Sequence, residues 1–278
     1  MNASTLDKLE DTLVLGIRKF MEKTGFSRAH LGLSGGIDSA LVAYLAVQAA
    51  GARNITCINM PSRFSSQGSK DDSAELALNL GCPYEVLPIE ECYSAFLSTL
   101  EGIFENRPFD IAEENIQARI RGTLLMAFSN KFHSVLFCSG NKSEIAMGYC
   151  TLYGDTNGAL GPIGDIFKTE VFALCRRINE RSTTAGGKVI IPQAIIDKPP
   201  SAELRPNQKD EDSLPPYDVL DAILELYLHQ KNPPNEIINK GWDGELVDRI
   251  ISTVERMEFK CRQLAPVLEV SSRPFSAK

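Results

Sequence analysis

The feature that constrains the fold most is an alternation, in the first half of the chain, between short apolar runs and longer helical patterns. Runs that are nearly continuous in apolar residues lie at 29–34, 53–60, 83–89 and 134–139. Helical patterns lie at 37–50, 69–80, 91–104 and 112–131. Because a half-exposed strand would alternate polar and apolar residues, these runs predict strands buried on both faces. We therefore expect an α/β fold, a doubly wound parallel sheet flanked by helices, with ligands beyond the carboxyl ends of its strands.

This alternation weakens after residue 150, where two long loops are predicted. The segment 150–168 is rich in Gly, Asp and Asn, whereas 197–216 is rich in Pro and charged residues. Loops of this length in a compact domain are usually functional or disordered, and we expect both to be active-site loops. Helical patterns resume at 217–229 and at about 243–264. The sequence has no internal repeat and no clear boundary to a second domain, so it predicts a single domain over residues 1–278.

Composition argues against several classes of protein. The chain carries 29 basic and 36 acidic residues, a net charge of −7, so its surface as a whole is not expected to attract nucleic acid. No apolar span approaches the roughly 18 to 20 residues of a membrane helix, and the N-terminus predicts an amphipathic helix instead of a signal peptide. The seven cysteines form no C-x-x-C pair, which favours reduced thiols over a disulfide framework. We expect a cytoplasmic protein with no nucleic-acid or membrane partner.

The stretch SGGIDS at 34–39 joins the first predicted strand to its helix. Gly35 and Gly36 permit positive φ and the close approach of a ligand, so that successive backbone N–H groups can point into one concavity. The helix N-terminus adds its dipole and unpaired donors, and Ser34 and Ser39 add hydroxyl groups. Such a nest favours an anion, above all phosphate.

Asp38 complicates this phosphate site, because a carboxylate repels phosphate unless a cation stands between them. Mg²⁺ coordinated by carboxylates and phosphate oxygens resolves the conflict, which predicts a metal-bound nucleotide. The loop is not a Walker A motif, since it lacks the required lysine. The alternative is a tight strand-to-helix turn in which Asp38 merely favours the helix dipole.

The same stretch resembles the pyrophosphate-loop signature of the ATP pyrophosphatases, which include GMP, argininosuccinate and asparagine synthetases, tRNA-thiolating enzymes and NAD synthetase. Further motifs follow in order along the chain, namely MPSRFSSQGSKDDSAELA, ENIQARIRG, CSGNKSEIAMGYCTLYGDTNGALGPIGDIFKTEV, PPSAELRPNQKDEDSLPPYDVLD and FKCRQLAP. Together these motifs resemble the NAD synthetase domain, and the resemblance covers nearly the whole chain. It implies an adenine nucleotide alpha-hydrolase-like fold and a homodimer with the dinucleotide site at the subunit interface. The implied reaction uses ATP to adenylate deamido-NAD with release of pyrophosphate, after which ammonia displaces AMP to give NAD.

The resemblance places the ATP site on the loop and on four later positions. The expected ATP-binding residues are Ser34, Gly35, Gly36, Ile37, Asp38, Ser39, Arg63, Ser139, Lys168 and Ser201. By the same resemblance, Asp38 and Glu144 are expected to bind Mg²⁺. Both follow predicted strands, so their carboxylates could converge. Lys168 is expected to reach the phosphates, and Asp155 joins these three as an expected catalytic residue. The alternatives are two acids at helix starts and a solvated lysine.

The resemblance also implies a set of residues that contact deamido-NAD. They are Asn115, Arg119, Tyr153, Gly154, Asp155 and Lys260. Asn115 and Arg119 lie four residues apart, on one face of a predicted helix. An exposed, salt-bridged helix face is the alternative for the arginine, and an Asx turn is the alternative for Asp155. Ammonium must lose a proton before it attacks, and either Asp155 or Glu144 is expected to take it.

The nitrogen donor is the least constrained part of the interpretation. Many ammonia-using synthetases carry a lysine where this chain has Leu152, and TLYGD resembles the synthetase half of glutamine-dependent enzymes. The sequence shows no cysteine nucleophile of the carbon–nitrogen hydrolase kind, and we expect free ammonia to be the donor. A separate glutaminase partner, or a sequence that is a piece of a longer chain, is the alternative.

Two other functions remain open. A tRNA-modifying ATP pyrophosphatase would share the loop, but it calls for a basic RNA-binding surface and often paired cysteines. A catalytically inactive nucleotide-binding module would have lost some residues of the site, whereas Ser34, Asp38, Ser39 and Glu144 are present.

Overall fold

A computed structural model describes residues 1–105 and 107–271, and its centre is a four-stranded parallel sheet. The strands are β1 (Ala29–Gly32), β2 (Ile55–Asn59), β3 (Tyr84–Val86) and β4 (Val135–Phe137), in the spatial order β3-β2-β1-β4. Ala29 aligns with Ile55 on one side and with Val135 on the other. The strand order reverses between β1 and β4, which is where parallel α/β sheets open a ligand crevice.

Helices form most of the remainder. Those of the first half are α1 (Ala3–Thr24), α2 (Ile37–Ala50), α3 (Gln67–Leu80), α4 (Glu90–Phe104) and α5 (Ile111–Phe132). Those of the second half are α6 (Lys142–Met147), α7 (Lys168–Thr184), α8 (Gln193–Asp197), α9 (Tyr217–Leu224), α10 (Pro234–Asn239) and α11 (Gly244–Cys261). Two segments, 148–167 and 198–216, are loops apart from isolated bridges at Leu160 and Gly161 and one 3₁₀ turn, Asp210–Asp212.

Both faces of the sheet are covered, as the alternation predicted. Leu31 of β1 packs in one core with α1, α2 and α7, represented by Leu13, Leu41 and Leu174. The opposite face carries a smaller core in which Ile58 of β2 meets residues of α4 and α5. The α/β class and the parallel sheet flanked by helices are therefore confirmed. Across the described residues, no helix combines the length and the apolar character that crossing a bilayer requires.

The structure corrects the predicted elements in two places. The run 83–89 is not a strand buried on both faces, because β3 is a three-residue edge strand on which Glu85 and Val86 are exposed. The helix predicted at 217–229 stops as an α-helix at Leu224 and continues as a π-helical turn, Glu225–His229. Helices α9 to α11 pack with α6 in a third core, which contains Met147, Leu220 and Val247. This core fixes α6 beside the sheet edge.

Candidate active site

The glycine loop between β1 and α2 leaves backbone donors free. Gly35 has φ +82°, and Gly36 is the N-cap of α2 and has no side chain to satisfy the first-turn amides. The hydroxyl oxygens of Ser34 and Ser39 lie 3.1 Å apart, and Ser39 Oγ donates to Gly36 O at 3.0 Å. The helix N-terminus, its unpaired amides and two hydroxyls together form a nest suited to a phosphate group.

Two carboxylates and one ammonium meet beside this nest. Lys168 Nζ lies 2.5 Å from Asp38 Oδ2 and 3.0 Å from Glu144 Oε1. Asp38 Oδ1 also accepts a hydrogen bond from Asn141 Nδ2 at 2.9 Å. Asp38 follows β1, Glu144 follows β4 and Lys168 begins α7, so the convergence predicted from strand order is present. The lysine is 2% exposed and is not the solvated side chain of the alternative interpretation.

Burial controls the protonation of these groups. It raises the pKa of Glu144 to about 8, and the ammonium of Lys168 offsets only part of that effect. Burial alone would lower the pKa of Lys168, but Asp38 and Glu144 outweigh it and raise the pKa above the ordinary value. The lysine is therefore a permanent cation beside the two acids.

Asp210 is a third acid at the site, one that sequence reasoning missed. It is 4% exposed and lines the same cavity, where its carboxylate accepts hydrogen bonds from Tyr217 Oη at 2.8 Å and Tyr149 Oη at 3.3 Å. Burial raises its pKa. It lies in the expected active-site loop 197–216, but the charged run QKDED offers no signal that separates it from the neighbouring acids.

A cavity of about 430 Å³ joins the nest to the loop 148–167. Most of the predicted site residues line it. They are Ser34, Gly36, Ile37, Asp38, Ser39, Asn115, Ser139, Glu144, Gly154, Asp155, Lys168, Ser201 and Lys260. Gly35 turns the chain behind the nest, against Ser69. The volume is within the range of small-molecule sites, and the wall combines apolar surface with many polar and charged groups.

The wall opposite the nest is held by hydrogen bonds within the loop 148–167 and from this loop to α5 and α11. Asp155 Oδ1 accepts from Thr151 N at 2.6 Å, and Thr151 Oγ1 donates to Asn115 Oδ1 at 2.7 Å. Lys260 Nζ donates to the carbonyl oxygens of Gly148 and Cys150, at 2.7 and 2.8 Å. Asp155 is open to the cavity, yet the surrounding protein raises its pKa to about 6.

Besides Gly35, three predicted residues lie outside the cavity lining. Arg63 is paired with Glu90, with its Nε 2.9 Å from Oε1, and Arg119 Nε donates to Leu152 O at 3.3 Å. Tyr153 is 65% exposed and takes the left-handed conformation, φ +65°. The arginine that does line the cavity is Arg121, whose Nε donates to Met60 O at 2.9 Å and whose pKa burial lowers to about 10.

Asp38 and Glu144 suit a divalent cation. The ammonium of Lys168 already stands between their oxygens, so the geometry brings negative charge to one point. Carboxylate oxygens are the ligands that Mg²⁺ prefers, usually one or two of them with phosphate oxygens and water. The described residues hold no cluster of three or more His, Cys, Asp and Glu side chains arranged for a metal, and a cation held by Asp38 and Glu144 would need phosphate oxygens and water as its other ligands.

A nest of main-chain amides at the carboxyl edge of a parallel sheet, without a Walker lysine, is typical of nucleotide-binding α/β proteins of the pyrophosphate-loop type. The NAD synthase family model matches residues 9–264. The chain belongs to the NAD synthase family.

Relatives and solved structures agree with this assignment. The chain is 51% identical to the glutamine-dependent NAD(+) synthetase of Synechocystis sp. over 271 residues, 98% of this chain and 48% of the relative. It is 42% identical, with a TM-score of 0.68, to the glutamine-dependent NAD+ synthetase of Acinetobacter baumannii in complex with ADP, covering 98% of this chain and 48% of that one. The NH3-dependent NAD synthetase of Campylobacter jejuni gives 26% identity and a TM-score of 0.73, over 94% and 96% of the two chains. The chain spans about half the length of the glutamine-dependent relatives it matches.

Proposed function

We propose that this chain is a synthetase domain, spanning residues 1–278, that converts deamido-NAD to NAD at the expense of ATP. The observation that carries the proposal is the single cavity in which the amide nest, Lys168 between two carboxylates, and the loop of Asp155 face one another. Family membership and the ADP complex of a relative support ATP as the nucleotide.

The first step activates the carboxylate of deamido-NAD, whose oxygen is otherwise a poor leaving group. The carboxylate of deamido-NAD attacks the α-phosphorus of ATP and displaces pyrophosphate, which leaves an acyl-adenylate. The nest at Ser34, Gly36 and Ser39 holds the departing pyrophosphate, and Lys168 stabilises the charge that develops on its oxygens. Mg²⁺ held by Asp38 and Glu144 would neutralise phosphate charge during this step. Ser139, Ser201 and Arg63 complete the proposed ATP site.

The second step forms the amide. Ammonia attacks the acyl carbon, AMP leaves, and the attacking nitrogen gives up a proton. Asp155 is suited to accept that proton, because its pKa of about 6 makes it a base at neutral pH, and Glu144 is the other candidate. Asn115, Gly154 and Lys260 line the cavity on the side of Asp155 and are proposed to hold deamido-NAD.

A homodimer accounts for two of the proposed residues that lie outside the cavity. Arg119 and Tyr153 are exposed, and both lie near the loop that carries Asp155. In a dimer with the dinucleotide at the subunit interface, these side chains would contact the part of deamido-NAD that extends beyond the cavity. The seven cysteines are free thiols, which supports a reducing, cytoplasmic location.

Ammonia is the proposed nitrogen donor. The ammonia-dependent relative matches this chain over nearly its whole length. Supply by a glutaminase is the second candidate, and the higher identity to glutamine-dependent relatives favours it.

One assay tests these proposals together. Purified protein is incubated with deamido-NAD, ATP and Mg²⁺, with either ammonium or glutamine, while NAD, AMP, ADP and pyrophosphate are quantified. We expect NAD, AMP and pyrophosphate in equal amounts with ammonium, and little NAD with glutamine. Asp38→Asn should lose this activity, whereas the exposed Asp71→Asn should keep it. Formation of ADP, or nucleotide cleavage without deamido-NAD, would refute the proposed reaction.

A further inference from the structure

The ion pair between Lys168 and Glu144 joins the first turns of two helices, so its geometry depends on how those turns are held. Glu144 is the third residue of α6, and Lys168 is the first residue of α7. A cation gains nothing from a helix N-terminus, where the dipole is positive. Asp38 and Glu144 hold the ammonium itself, and the backbone at the start of α7 needs partners of its own.

A carboxylate on a third helix supplies such a partner. Asp221 of α9 accepts a hydrogen bond from Ser143 Oγ in α6 at 2.5 Å and from Thr169 N in α7 at 2.8 Å. Ser143 Oγ in turn accepts from the backbone N–H of Lys168 at 2.9 Å. One side chain thus binds the residue before Glu144 and the residue after Lys168.

The location of Asp221 separates it from the substrates. Its side chain is 5% exposed, Ser143 is fully buried, and neither is among the described residues that line the cavity. The carboxylate satisfies an amide that an α-helix leaves unpaired in its first turn, and its negative charge favours the start of α7. Hydrogen bonds to a buried charged group are strong and directional.

We infer that Asp221 is a positioning residue, which sets the distance between Lys168 and Glu144 by tying α6 and α7 to α9. The inference rests on the proposed function for its effect on catalysis, but the geometry it predicts can be measured without any assay. Replacing a residue that holds the reacting groups in place through hydrogen bonds typically lowers activity by about 10- to 100-fold.

The variants are Asp221→Asn, Ser143→Ala and the double variant, with Asp218→Asn as the matched control. Asp218 lies on the same helix but is exposed. We expect D221N to lower kcat by about 10- to 100-fold while KM for ATP changes far less, because the residue acts through Lys168 and Glu144. The double variant should lose no more than D221N alone, since both changes break one linkage. D218N should match the wild type.

Crystal structures of the wild type and D221N, grown under the same conditions, test the geometry directly. We expect Lys168 Nζ to leave hydrogen-bond distance of Glu144 Oε1 in D221N. An unchanged ion pair, additive losses in the double variant, or a fall in activity that only follows a fall in folded protein would each overturn the inference. A wild type that forms no NAD would refute the proposed function, whereas the two structures would still decide the positioning role.

Discussion

Gly35 of the glycine loop between β1 and α2 lies directly against the backbone of Ser69 in the first turn of α3. A Cβ at position 35 would stand 2.9 Å from both the Cα and the carbonyl carbon of Ser69, and nearer still to the carbonyl oxygen. The same residue has φ +82°, which L side chains rarely adopt. The loop is therefore shaped by two independent requirements for glycine at one position.

Replacing Gly35 with alanine should distort the nest and weaken binding of Mg–ATP. Backbone strain at such a position costs about 1–3 kcal/mol, so the free energy of unfolding should fall by a similar amount. Gly36→Ala is the matched control, because its φ is −90° and the nearest atom to an added Cβ is the hydroxyl of Ser34 at 3.3 Å. Urea unfolding and titration with Mg–ATP measure both effects. Equal stability of the two variants would contradict the steric argument.

Replacing Lys168 with methionine keeps the buried volume but removes the charge between Asp38 and Glu144. Removing one preorganised electrostatic contact typically lowers kcat by about 100- to 1,000-fold, and we expect a loss of that size in NAD formation. Lys188→Met, at an exposed position beyond the end of α7, is the control. Steady-state rates at saturating ATP and deamido-NAD measure the change. A K168M enzyme as fast as K188M would exclude a role for the ammonium in charge stabilisation.

Much of the fold and part of the site followed from local pattern. Helix α2 occupies the predicted range 37–50, because its apolar residues and flanking glycines act locally. Asp38 and Glu144 were expected to converge because parallel strands end at one edge of a sheet, and both contact Lys168 in the structure. Each of these inferences needs only chain order and the geometry of βαβ units.

Features that depend on how elements dock could not be predicted in the same way. Arg119 and Arg121 are two residues apart and so point about 200° from each other around a helix. Which of them faces the cavity is decided by the packing of α5 on the sheet, and the structure places Arg121 there. Asp210 was missed for a related reason, since only the folded loop brings it to Tyr149 and Tyr217.

Stability should fall as the pH drops below about 6.5, because His30 is buried as a neutral ring. Its Nε2–H donates to Leu125 O and its Nδ1 accepts from Ser134 Oγ, both at 2.9 Å. Burial lowers its pKa from the ordinary 6.5, so between the folded and unfolded values the unfolded chain binds more protons. Stability therefore rises with pH across that window. Urea unfolding at pH 7.5 and 5.5 should show a steeper loss for the wild type than for His30→Gln, and equal losses would contradict this account.

Replacing Gly154 with alanine should separate the loop 148–167 from α5 without disturbing the amide nest. A Cβ at position 154 would lie 2.8 Å from the Cβ of Ala118, while the carbonyl oxygens of Tyr153 and Gly154 already lie against Gly122. The loop must shift and carry Asp155 with it, so we expect KM for deamido-NAD to rise while the affinity for Mg–ATP is kept. Gly102→Ala is the control, because nothing lies within 4 Å of its added Cβ. Replacing this helical glycine with alanine should raise the free energy of unfolding by about 0.5–1 kcal/mol. If G154A weakened ATP binding as much as dinucleotide binding, the two walls of the cavity would not be independent.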